Sequence, residues 1–70
     1  MSRKISVTVV PELSPRIETW LAGRDIDYEV EVVRTAQKTN LKIISLFPSD
    51  ERGKHQAEMY RRFLERIRKR

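Results

Sequence analysis

The sequence predicts an α+β fold: a three-stranded mixed sheet in the order 1-3-2, with two helices covering one face. Three observations carry this expectation. Two segments alternate apolar and polar residues with the period of a strand. A third segment is apolar on both parities, as a strand covered on both faces would be, and as the most apolar it is placed in the middle. Two further segments repeat apolar residues at helical spacing, which gives the order β-α-β-β-α. A strand–helix–strand unit makes its two strands parallel, and a hairpin makes the third antiparallel to the second.

The first strand is Arg3 to Val10, with Ile5, Val7 and Val9 on one parity and Lys4, Ser6 and Thr8 on the other. That alternation suits an edge strand with one wet face, and Pro11 ends it because proline cannot donate to a ladder. Ser14-Pro15 reads as a helix start, serine as N-cap and proline at the first helical position. Leu13, Ile17, Trp20 and Leu21 form one apolar stripe, and Gly23 is the expected stop. So short a helix needs the sheet for stability, which makes Trp20 a core anchor.

Tyr28-Glu29-Val30-Glu31-Val32 alternates again, Gln37-Lys38-Thr39-Asn40 is a polar break, and Leu41 to Phe47 runs back as the central strand. Asn40 is the candidate for a left-handed turn position. After Pro48 a second helix is expected over about 50–69, beginning near Ser49 or Asp50. Ala57, Tyr60, Phe63, Leu64 and Ile67 line its apolar stripe, and Met59 sits at the margin. Gly53 is expected to weaken the first turn. Trp20, Phe47 and Phe63 should meet in one cluster joining both helices to the sheet.

In topology this resembles the split β-α-β, or ferredoxin-like, arrangement without its last strand. A second resemblance is local. Lys4-Ile5-Ser6-Val7-Thr8-Val9 followed by Pro11-Glu12-Leu13 resembles the opening of ribbon-helix-helix DNA-binding proteins, over about residues 4–22. Where that family has its second helix, this chain has the strand periodicity of Tyr28–Val33.

Seventy residues are read as one small domain, residues 1–70, with no cysteine to staple it. Residues 1–10 lack a long apolar run, so a secretory leader is not expected. No stretch approaches the ~18 apolar residues of a membrane span. A soluble cytoplasmic protein is the expectation. The net charge is +5, distributed unevenly. Residues 1–49 carry seven basic and six acidic side chains, and residues 50–70 carry eight and four.

No catalytic constellation is visible. His55 is the only histidine, which excludes a two-histidine metal site within one chain, and it reads as a solvated residue beside Arg62 and Arg66. Glu29 and Glu31 share a strand face and read as solvated charge that discourages edge pairing. Neither glycine belongs to a phosphate-cradling loop. The expectation is a non-enzymatic protein without cofactor, metal or small-molecule substrate.

The basic side chains of the last helix point to nucleic acid instead. Lys54, Arg61, Arg62, Arg66, Arg68, Lys69 and Arg70 can neutralise phosphates and fork onto their oxygens, which gives affinity without sequence preference. Complementing the helix dipole and keeping the chain soluble account for two or three of them. A membrane surface would compete for the apolar stripe that the core requires, so no membrane partner is expected. On the other sheet face, Val33, Ile44 and Leu46, with Val10 nearby, form an apolar patch rimmed by Glu29, Glu31, Lys42 and Thr35. Such a patch predicts a homodimer. The competing reading is a protein–protein interaction module or small assembly subunit using that face, and a designed chain is compatible with the same features. One-sided clustering of the arginines favours nucleic acid; an even ring around the helix favours the competitor.

Overall fold

A computed structural model describes residues 2–68. The elements are β1 (Ser2–Val9), a 3-10 turn (Pro11–Leu13), α1 (Ser14–Ala22), β2 (Asp27–Arg34), β3 (Thr39–Pro48) and α2 (Glu51–Arg68). β3 lies between β1 and β2, giving the order β1-β3-β2. The outer strands point the same way, as the strand–helix–strand unit requires, but β3 separates them. Both ladders are therefore antiparallel, and the sheet is antiparallel rather than mixed. No helix among the described residues is long and apolar enough to cross a membrane.

Register divides the side chains between the two faces. Val7 and Val30 flank Ile43, while Ile5 and Tyr28 flank Ser45, so these residues share the helix-covered face. Ile43, Ser45 and Phe47 are fully buried there against Ile17 and Leu21 of α1 and Ala57, Tyr60 and Leu64 of α2. Cover runs out toward the hairpin tip. Val30 is half-exposed and Val32 is 59% exposed, although both share the parity of the core residues. Neither helix extends over that end of β2.

The aromatic cluster has a different centre from the expected one. Trp20 stacks on Phe63 with ring centroids 5.3 Å apart and planes 15° apart, and tilts against Tyr60 at 5.5 Å. Tyr60 in turn meets Phe47 at 5.5 Å. Tyr60 is thus the hub between the sheet and both helices, while Phe63 and Trp20 are half-buried at the outer end of the chain. The Tyr60 hydroxyl and Ser45 Oγ are buried and lack partners in hydrogen-bond geometry. Burial pushes the Tyr60 pKa above its ordinary value of 10.0, opposed by the neighbouring Ser45 hydroxyl and the Arg68 guanidinium.

Four local readings are corrected by the backbone. Ser14 is no N-cap: it is helical, buried and preceded by the Pro11–Leu13 turn, and its Oγ donates to Glu18 Oε2 at 2.8 Å. Gly23 stays right-handed at φ −65°, and α1 is closed by Asp25 at φ 56°. Ile26 N–H donates to the Leu21 carbonyl and Asp25 N–H to the Ala22 carbonyl, the Schellman pattern, with Ile26 and Leu21 both in the core. Asn40 lies in β3 opposite Val33; the turn is residues 35–38, held by Thr35 Oγ1, which accepts from Lys38 N–H and donates to the Lys38 carbonyl. Gly53 anchors α2 rather than weakening it. It is buried so closely on Pro48 that a Cβ would overlap the Pro48 carbonyl group, and its N–H donates to Asp50 Oδ1 at 2.9 Å, which makes Asp50 the N-cap.

Candidate nucleic-acid interface

α2 holds Lys54, Arg61, Arg62, Arg66 and Arg68, all exposed. Lys69 and Arg70 lie outside the described residues. At about 100° per residue the five do not share one side of the helix. Arg62 and Arg66 fall on one flank, with His55 and Arg52. Lys54, Arg61 and Arg68, seven residues apart, fall on the other. Glu51, Glu58 and Glu65 repeat at the same spacing and form an acidic ridge between the flanks. The cluster expected from the sequence is therefore split in two.

The flank carrying Arg62 and Arg66 is the one that faces α1. There Trp20, Arg24, Met59, Arg62, Phe63 and Arg66 line a groove of about 200 Å³. Its floor is aromatic and thioether. Its rims carry three guanidinium groups, one from just past the end of α1 and two from α2, and its lining holds no carboxylate. The Arg24 guanidinium carbon lies 3.9 Å from the centre of the Trp20 ring, and its Nη1 donates to the Trp20 carbonyl at 3.3 Å. An exposed cation–π contact of this kind contributes about 0.5–1 kcal/mol.

Local sequence explains the arrangement. Trp20 and Arg24 stand four residues apart and so project from the same side of consecutive turns. Met59, Phe63 and Arg66 follow one another at four- and three-residue spacing on the margin of α2's apolar stripe. Stacking of Trp20 on Phe63 then sets these two margins side by side. Sequence reasoning placed Met59 and Phe63 only on the apolar stripe and its margin, and gave no part in the site to Arg24 and Trp20. Their signal was the i, i+4 aromatic–arginine pair beside a helix end, masked by the reading of Trp20 as core alone.

A second hollow of about 480 Å³ adjoins the first through Arg24 and is lined in part by Asp25, Asp27, Asp50 and Arg52. Its mixed charge marks the end of the electropositive groove. No group of three or more His, Cys, Asp or Glu side chains among the described residues is placed to hold a metal ion.

The open sheet face is narrower than expected. Along β3 it presents Leu46, Ile44, Lys42 and Asn40, flanked by Lys4, Ser6 and Thr8 on β1 and by Asp27, Glu29, Glu31 and Val33 on β2. Ile44 and Leu46 are adjacent on this face. Val33 shares the face but is separated from Ile44 by the Glu31–Lys42 rung, so the three do not form one patch. β3 is central, yet it is covered on one face only.

No protein-family model, curated protein sequence or solved structure matches this chain.

Proposed function

We propose that this protein is a non-catalytic nucleic-acid-binding protein that engages phosphates through the flank of α2 facing α1. The observation that carries the reading is the convergence of Arg24, Arg62 and Arg66, from two elements, on a groove without a carboxylate. Dipole complementarity accounts for Arg24 at the C-terminal end of α1 and for Arg66 in the last turn of α2, but not for Arg62 or for the three meeting on one groove. Guanidinium groups held around a concave aromatic floor suit phosphate oxygens, which they can approach in forked pairs. Lys54, Arg61 and Arg68 add a second, weaker field on the opposite flank.

The test is a salt-titrated binding assay with duplex DNA, single-stranded DNA and RNA. Binding should be sequence-tolerant and should weaken steeply with salt. Arg62→Gln with Arg66→Gln should remove most of the affinity, whereas Arg61→Gln with Arg68→Gln should remove less. No binding by the unaltered protein at low salt defeats the reading.

A second reading, self-association through the open sheet face, has its own support. β1 presents Lys4 there and β2 presents Asp27 on the same rung, with Leu46 between them. A two-fold axis along β3 would set Lys4 of each copy over Asp27 of the other and Leu46 and Ile44 over themselves.

A further inference from the structure

The geometry points to single-stranded nucleic acid as the ligand of this groove, with one unstacked base seated on Trp20. This rests on the nucleic-acid reading above and adds the form of the strand.

Pure phosphate contact needs only exposed cations, and Lys54, Arg61 and Arg68 on the opposite flank of α2 supply those. The α1-facing flank adds a half-buried indole, a phenyl ring stacked on it at 5.3 Å and the Met59 side chain, all opening between the arginines. Paired bases in a duplex keep their faces stacked inside the helix, so an aromatic floor is useful only to a base already exposed. The volume agrees. About 200 Å³ is below the roughly 300–1,000 Å³ of a typical small-molecule site. It suits one flat ring system whose sugar and phosphates remain outside, on Arg62 and Arg66.

In the free protein, the Arg24 guanidinium covers Trp20. Base–aromatic stacking is the stronger of the two contacts, so an incoming base displaces Arg24, which swings out to a flanking phosphate. The groove thus exchanges an internal cation–π contact for a base stack plus an ion pair. Sequence tolerance follows, because every base has a π face.

Trp20 is the only tryptophan in the chain, which makes its fluorescence a reporter of this site alone. The experiment titrates the whole protein with a mixed-sequence single-stranded oligonucleotide, with the same sequence as a duplex and with anionic phosphatidylserine vesicles. Anisotropy of labelled nucleic acid is followed together with Trp20 emission. Expected is at least tenfold tighter binding of the single strand than of the duplex, with Trp20 quenched only by the single strand. The log–log salt slope should be roughly −2, for three phosphates neutralised on a single strand. Arg62→Gln with Arg66→Gln should reduce single-strand affinity about tenfold or more and flatten the slope, with an unchanged circular dichroism spectrum. Equal affinity for duplex and single strand with unquenched Trp20 overturns the inference and leaves the phosphate-binding reading standing. Absence of all nucleic-acid binding overturns both. Trp20 responding to vesicles but not to the single strand also overturns the inference, by making the groove a membrane contact.

Discussion

Asp25 is the one described residue that is not glycine and has a positive φ. Left-handed backbone costs an L-residue about 1–2 kcal/mol, less for aspartate than for most, while glycine adopts it freely. Asp25→Gly should therefore raise stability by about 0.5–1 kcal/mol, after the greater freedom of the unfolded glycine is subtracted. A thermal melt that falls instead would show that the Asp25 carboxylate contributes more than its backbone costs. Gly53 presents the opposite case. A methyl there meets the Pro48 backbone, which cannot rotate aside as a side chain would. Gly53→Ala should lose about 1–3 kcal/mol through overpacking, despite the better helix propensity of alanine. Tyr60 carries the pH dependence. Its folded pKa is raised above 10.0, so from about pH 10 upward the unfolded chain releases this proton before the folded one. The native state then binds more protons, and stability falls as pH rises through that window. Denaturant unfolding between pH 8 and 11 should show a shallower alkaline loss for Tyr60→Phe than for the unaltered protein. Near neutrality the substitution should cost little, since the hydroxyl it removes is buried without a partner.

At the scale of elements, period decided most of what the sequence could reveal. β-α-β-β-α, the central place of the most apolar strand and both helical stripes were legible, because alternation and 3.6-residue spacing are imposed by which face is buried. The ends were not. Ser14-Pro15, Gly23 and Asn40 carry strong local preferences, yet other contacts chose otherwise: tertiary burial of Ser14, a Schellman closure two residues later at Asp25, and a threonine-stabilised turn ahead of Asn40. Val30 and Val32 mark the same limit on faces, since parity tells which side a residue takes but not how far a helix reaches across it. The site was half legible. Arg62 and Arg66 followed from charge, whereas Arg24 and Trp20 required knowing that α1 and α2 lie side by side. Phe63 is where that packing can be tested. Being half-buried, Phe63→Ala should cost about 2–3 kcal/mol, below or at the low end for a buried phenylalanine. Its loss should also shift Trp20 emission to the red, because the indole loses its stacked neighbour. An unchanged emission maximum would contradict the Trp20–Phe63 stack.

For the whole molecule, the two faces of the sheet pose different questions. One is closed by helices around Tyr60. The other presents Ile44 and Leu46 between a β1 column containing Lys4 and a β2 column containing Asp27, Glu29 and Glu31. A stable dimer buries about 800 Å² per partner, and the whole chain exposes 5347 Å². Two adjacent apolar side chains supply only a fraction of that, so association must enlist the charged columns as well. Paired about an axis along β3, Lys4 meets the other copy's Asp27, but Lys42 lies over Lys42 beside Glu31. The arrangement is self-complementary with one repulsive rung. Such an interface should be weak and salt-sensitive, with sedimentation showing dimer at high protein concentration and low salt, and monomer on dilution. Ile44→Lys should abolish it by placing a like charge on the axis, whereas Lys42→Ala should strengthen it by removing one. Arg62 and Arg66 lie on the helical side, so the Ile44→Lys monomer should retain its intrinsic affinity for a short oligonucleotide and lose only the gain from double occupancy on a long one. A chain that stays monomeric at the highest concentration in low salt removes this second reading and leaves the groove between α1 and α2 as the one proposed site.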